Sequence, residues 1–304
     1  MNFTYNNHLY YEVGGRKFGY RETSIEKYNV FCGQADPSIY KKSSWKQELI
    51  RTADCVHNEY GKDMVLFVSG GTDSEIVLRN FLEIGVVPRC VTIKFKDDYN
   101  LPDVVEAIAI GTELGVPIEI LEFDVKEFWN SGEASEFSKE IACSQITYLT
   151  VYYHIRKLAA PAVMGGEQLL RKNITADSVY WCHHFRENED ASAMRFSFKY
   201  NIPLVNEWFS YTPEMMLYYL EDQGVQNLVQ NTNHKITSVS SKNEILQRLY
   251  PEIRQKNKTH GFERLLGFNI ETFNIMKEHL IPRLESNVDG IPIDQLLYHL
   301  RGKL

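Results

Sequence analysis

Six consecutive residues, Ser69-Gly70-Gly71-Thr72-Asp73-Ser74, have the types and spacing to hold a phosphate. The two glycines let the backbone approach a ligand with no Cβ in the way. Ser69, Thr72 and Ser74 offer hydroxyl donors. Asp73 would be repelled by bare phosphate, so its presence in such a cup points to a bridging Mg²⁺. The plainer alternative is a strand-to-helix turn, with Gly70–Gly71 as punctuation and Asp73 or Ser74 as a helix cap. Two competing phosphate motifs are absent: there is no G-x-x-x-x-G-K-[ST] and no G-x-G-x-x-G.

The elements that would position this loop can be read on either side of it. Residues 64–68 are a short, wholly apolar run with β-branched members, as expected of a strand buried on both faces. Over residues 75–84 a helical stripe follows, with Ile76, Val77, Leu78 and Phe81 apolar. Free N–H groups at the start of that helix would point at the same spot as the glycines, where the helix dipole also favours negative charge. Residues 90–95, 116–123 and 161–164 read as further strands, and Pro102 opens an amphipathic segment ending near Gly115. Helical character is expected over 138–158, and a loop over 130–138 at the ligand-binding edge of the sheet. Strands alternating with helices at this spacing imply a mainly parallel α/β sheet of roughly five strands.

Outside this core, residues 9–20 read as a hairpin turning at Gly14–Gly15, and Ser44 as the cap of a helix over 45–60. Beyond about residue 190 the strands give out. Thr212-Pro213-Glu214 starts one helix, others are expected over 242–249, 271–284 and 293–300, and 227–241 contains a loop. The expected organisation is an N-terminal hairpin-and-helix element over 1–60, an α/β domain carrying the glycine loop over 61–190 and a helical domain over 191–304.

The loop in its setting, Val65-Leu66-Phe67-Val68-Ser69-Gly70-Gly71-Thr72-Asp73-Ser74, resembles the S-G-G-x-D-S/T signature of the PP-loop (N-type) ATP pyrophosphatases. That family includes asparagine synthetase, GMP synthetase, NAD synthetase and several tRNA-modifying ligases. The resemblance implies a Rossmann-like α/β fold that cleaves ATP to AMP and pyrophosphate, usually through an adenylated oxygen that a nitrogen or sulfur nucleophile displaces. By that resemblance Ser69, Gly70, Gly71, Thr72, Asp73 and Ser74 cradle the pyrophosphate end of ATP, and Asp73 serves both catalysis and Mg²⁺. Glu75 departs from the pattern, because many members carry a small residue there.

Two further segments resemble asparagine-synthetase-like members. Ala162-Val163-Met164-Gly165-Gly166-Glu167 is similar to a strand and Gly- and acid-rich loop that helps hold Mg²⁺, which makes Glu167 a metal candidate. The usual acidic pair is replaced by Gln168 and Leu169, and a strand-ending turn with one exposed carboxylate is the alternative. Asp177, Glu187, Glu189 and Asp190 are unranked candidates for the same role. Downstream, Pro251-Glu252, a basic pair and Gly261-Phe262 are similar to a C-terminal segment whose lysine reaches back over the phosphates. Lys258 is the preferred catalytic cation and Lys256 the second; a solvated helix end capped by Gly261 is the alternative. The first 60 residues match no glutamine amidotransferase domain, and Asn2 stands where such enzymes expose a cysteine. The resemblance therefore implies a synthase domain without the glutaminase half.

Composition limits the partners. The chain has 304 residues, 43% hydrophobic and 24% charged, with a net charge of −7, so a nucleic-acid partner is left open but not indicated. Five scattered cysteines form no C-x-x-C pair, and residues 1–20 carry no signal-peptide pattern; both features favour a cytoplasmic protein. No apolar run approaches a membrane span. Cys182, His183 and His184 are ligand types, but adjacent side chains rarely converge on one ion, so structural or pocket roles are preferred. Tyr148, Tyr152 and Tyr153 are expected in the core. The function expected is an ATP-dependent, asparagine-synthetase-like ligase. It would adenylate a carboxylate or carbonyl oxygen of a small acceptor and pass it to an amine or ammonia. The alternatives are a tRNA- or nucleoside-modifying relative, including a thiolating one, and a non-catalytic nucleotide-binding module.

Overall fold

The computed structural model describes residues 8–13, 15–17, 28–143, 145–166, 170–174, 179–183, 190–230, 238–239, 242–253, 256, 261–262, 264–265 and 291–302. Its N-terminal part holds the expected hairpin, β1 (Tyr10–Val13) and β2 (Arg16–Lys17), with β3 (Tyr28–Phe31) added antiparallel to β1. A short helix α1 (Pro37–Tyr40) leads to α2 (Trp45–Tyr60). The α2 cap is the one the sequence indicates: Ser44 Oγ accepts the Gln47 N–H at 3.3 Å. Trp45, Leu49, Ala53 and Val56 turn its apolar stripe into the core.

The centre is an α/β unit. The order is β4 (Val65–Phe67), α3 (Thr72–Glu83), β5 (Arg89–Phe95), α4 (Leu101–Leu114) and β6 (Ile118–Phe123). After these come α5 (Val125–Asn130), α6 (Glu133–Ile141), α7 (Ile146–Leu158) and β7 (Ala162–Val163). Met64 through Val68 are all buried, and alternate side chains enter different clusters. Met64, Leu66 and Val68 pack with α2, α3 and α4, whereas Val65 and Phe67 pack with α5, α6 and α7. Burial on both faces is why this strand reads as a continuous apolar run; each such side chain contributes about 1.5–3 kcal/mol.

A hairpin of β8 (Leu170–Ile174) and β9 (Val179–His183) follows, then α8 (Asp190–Tyr200) and β10 (Leu204–Val205). Among the described residues that follow are α9 (Pro213–Glu221), α10 (Gln223–Gln230), β11 (Ser238–Val239), α11 (Lys242–Leu249), β12 (Ile291–Pro292) and α12 (Ile293–Leu300). The five-stranded sheet is parallel, in the order β10-β7-β4-β5-β6. The fold is therefore Rossmann-like α/β, with helices on both faces of a parallel sheet. Chain order runs outward from β4 on one side and resumes with β7 on the other. This topology places a ligand crevice at the carboxyl ends of β4 and β7.

Three expectations are corrected. The helical character over 138–158 resolves into α6 and α7, because Ala142 takes a left-handed conformation (φ 53°) between them. Most of the expected loop over 130–138 is helical: Gly132 (φ 84°) turns the chain, and Glu133 starts α6. Strands also continue past residue 190. Leu204–Val205 completes the parallel sheet beside β7, and β11 and β12 flank the β8–β9 hairpin in a four-stranded antiparallel sheet. Two-residue strands carry too little periodicity to be seen in sequence. The helices at 213, 242 and 293 stand where they are expected, and the one over 271–284 lies outside the described residues.

Candidate nucleotide site at the carboxyl edge of the sheet

Residues 69–71 form the turn between β4 and α3 and residues 72–74 the first turn of α3, and hydrogen bonds within this segment set its geometry. Ser74, almost fully buried, acts as a staple: its Oγ accepts the Ser69 N–H at 3.1 Å and donates to the Gly71 carbonyl at 3.0 Å. Ser69 Oγ lies 3.3 Å from the same hydroxyl. Gly70 has φ +75°, and a Cβ there would lie 2.4 Å from the Asp103 carbonyl oxygen at the start of α4. Only glycine fits, on conformational and steric grounds together.

Gly71 is the N-cap of α3 and supplies no side-chain cap. The first-turn N–H groups of Thr72, Asp73 and Ser74 have no intrahelical carbonyl, and α3 is 12 residues long. Such a helix start attracts anions through its first-turn N–H groups and its dipole. The alternative in which Asp73 or Ser74 caps the helix is not what the structure shows, because both lie inside α3. Gly165, in the turn after β7, approaches from the other side of the crevice; a Cβ there would lie 2.8 Å from Asp73 Cβ.

Next to the loop, a small pocket of ≈ 100 Å³ opens between the ends of β4 and β5, the start of α4, one face of α7, and Phe262. Its walls are largely apolar: Phe67, Val91, Ile93, Phe95, Val151 and Phe262 among them, with Thr92 and Thr150 as polar insertions. Asn100 braces the rim, accepting the Phe95 N–H at Oδ1 (2.8 Å) and donating Nδ2 to the Ile93 carbonyl (2.7 Å). Phe262 meets Phe95 edge-on with ring centroids 5.1 Å apart, and Gly261 packs its backbone against Asn100.

The candidates nominated by sequence are thus partly brought together. Ser69, Gly70, Gly71, Thr72, Asp73 and Ser74 share one turn, with Gly165 beside Asp73. Glu167, Lys258, Asp177, Glu187 and Glu189 lie outside the described residues, and Asp190 opens α8. Among the described residues no group of three His, Cys, Asp or Glu side chains could hold a metal ion. A divalent ion at Asp73 would draw on phosphate oxygens and water as well as any further protein ligand, which suits Mg²⁺. Lys256 is described and has another partner, Glu75, at 2.7 Å.

The cysteines give no sign of an activated sulfur. Burial pushes the Cys32 thiol up to about 11 and Cys90 to about 12, raises Cys55, and leaves Cys143 and Cys182 enclosed. Tyr152 and Tyr153 are core residues, as expected, with Tyr148 stacked on Tyr152. Sequence reading missed Asn100, the α7 wall and the Glu75–Lys256 pair. The signal available for the pair was Glu75 itself, an acidic residue directly after a phosphate-type loop.

No family model matches the chain, and no curated protein matches it. Three solved structures are among those that resemble it. A predicted subunit of a tRNA methyltransferase from Methanocaldococcus jannaschii has 14% identity and a TM-score of 0.32, covering 75% of this chain and 96% of that one. NMN synthetase from Francisella tularensis has 15% identity and a TM-score of 0.31, covering 80% and 98%. The glutamine-dependent NAD⁺ synthetase of Acinetobacter baumannii, in complex with ADP, has 13% identity and a TM-score of 0.34, covering 93% and 57%. Among the described residues no helix is long and apolar enough to cross a membrane.

Proposed function

We propose that this chain is an ATP-dependent ligase of the PP-loop pyrophosphatase class, working at the turn between β4 and α3. The observation that carries the reading is the α3 N-terminus without a side-chain cap, set by Gly70, Gly71 and the Ser74 staple, beside a largely apolar pocket. In this reading the base enters the pocket between Phe95 and α7, and the polyphosphate lies over residues 69–74. An oxygen of the acceptor attacks the α-phosphorus, the α–β bridging bond breaks, and pyrophosphate leaves. Charge growing on that leaving group faces the Thr72, Asp73 and Ser74 N–H groups, already oriented before reaction. Mg²⁺ bound at Asp73 would offset the same charge, with Glu167 as its second proposed protein ligand and Lys258 as the proposed cation over the phosphates. An amine or ammonia then displaces AMP, as in asparagine-synthetase-like chemistry.

The test is product analysis with Mg²⁺-ATP against pools of amino acids, small carboxylates and nucleosides, with Asp73→Ala in parallel. Equal AMP and pyrophosphate that depend on one pool, with a loss of about 10²–10³ in rate for the variant, are expected. ADP and phosphate as products would refute the pyrophosphatase reading. ATP binding without turnover in every pool would leave a nucleotide-binding module instead.

A further inference from the structure

Glu75 follows the loop directly and lies in the first turn of α3, with its side chain 1% exposed. A lone carboxylate buried there would be costly and would oppose a bound polyphosphate. It is not alone. Oε1 accepts Arg79 Nε at 2.9 Å and Nη2 at 2.7 Å, and Oε2 stands 2.7 Å from Lys256 Nζ. The Lys256 side chain is itself 4% exposed.

Among the described residues, that pair is one of the points at which the chain after α11 meets α3. At another, the buried Tyr250 hydroxyl donates to Asn80 Oδ1 at 2.7 Å. From residue 80 to residue 75 the attachments step back along α3 toward the phosphate loop. Past Lys256 the chain arrives at Gly261, whose added Cβ would lie 2.5 Å from Asn100 Cβ, and at Phe262, a wall of the pocket. Glu75, behind the loop, is thus ion-paired to a residue six positions before Phe262, a wall of the pocket.

We propose that Glu75 is a positioning residue that anchors Lys256 and thereby holds Phe262 against the nucleotide pocket. Lys256 then acts as a tether and not as a cation on the phosphates. The inference rests on reading the pocket as the ATP site. Its chemistry does not require the whole of that reading, because the tether exists without nucleotide.

The experiment combines calorimetric titration of Mg²⁺-ATP with amide exchange of the nucleotide-free chain, for wild type, Glu75→Gln, Lys256→Met and the double variant. Exchange over 261–265 should quicken in each single variant while α2 stays protected. The ATP dissociation constant should rise about tenfold in each, and the double variant should be no weaker than the worse single one. Unchanged exchange over 261–265 in both single variants would overturn the tether. A far larger loss for Lys256→Met than for Glu75→Gln, multiplying in the double variant, would overturn it as well and place Lys256 on the phosphates. Wild type that fails to bind ATP would refute the ATP reading instead, with exchange still deciding the tether. Lys256→Met, which leaves Arg79 on Glu75, keeps the question open to measurement should Glu75→Gln not fold.

Discussion

The two sides of the candidate site are built by opposite means. The phosphate side is local: residues 69–74 stabilise one another through Ser74, and their shape follows from six adjacent residues. The far wall is assembled over long range, by Tyr250 on Asn80, Lys256 on Glu75, and Gly261–Phe262 on Asn100 and Phe95. A local turn keeps its form as long as its own residues are intact. A wall made of distant pieces can be loosened at any one anchor, so its contribution should be the more adjustable.

The largest effect is expected where the local side meets its neighbour. Gly70→Ala imposes a side chain at φ +75° and places a Cβ 2.4 Å from a backbone oxygen of α4 that cannot move aside cheaply. Left-handed strain and overpacking together should cost about 4 kcal/mol. ATP binding should be lost even in the fraction that folds. Chemical denaturation and nucleotide titration read the two effects separately. A variant of wild-type stability would show the turn to be adjustable and erase the contrast.

Asn100 serves both sides, since it braces the end of β5 and backs Gly261. Asn100→Ala strands the Phe95 N–H and the Ile93 carbonyl and should cost about 2–3 kcal/mol by denaturant unfolding. Its effect on nucleotide affinity should exceed that of an equally destabilising change in α2. Equal effects from the two would mean that Asn100 supports the fold alone.

This division also explains what could be read in the sequence. The central strand, the glycine turn and the start of α3 were legible because burial on both faces and glycine placement leave marks within a dozen residues. The Ser44 and Thr212 caps were legible for the same reason, each accepting an N–H three residues on. Asn100 was not, because an asparagine between two acidic residues and a Leu-Pro helix start looks like ordinary turn chemistry until the packing is known. Glu75 stood out only as a departure from a pattern. Its partner lies far along the chain, and one sequence records neither distance nor burial. The Ala142 break was hidden too, since alanine in a left-handed conformation gives no compositional warning.

The smallest effect separates backbone strain from close approach. Gly85 and Gly261 have nearly equal angles, φ +75° and +77°, but a Cβ at Gly85 meets nothing within 4 Å. Gly85→Ala should therefore cost only the left-handed penalty, about 1 kcal/mol, and leave ATP affinity unchanged. Gly261→Ala carries the same penalty plus the collision with Asn100, about 1 kcal/mol more, and should weaken ATP through the displaced Phe262. Denaturant midpoints give the first comparison and titration the second. Matching stabilities with an affinity loss at Gly261 alone would mean that the long-range wall yields without strain, which makes it more adjustable than its contacts suggest. Matching stabilities and matching affinities would mean that Phe262 does not grip the nucleotide, and the site would then reduce to the local turn.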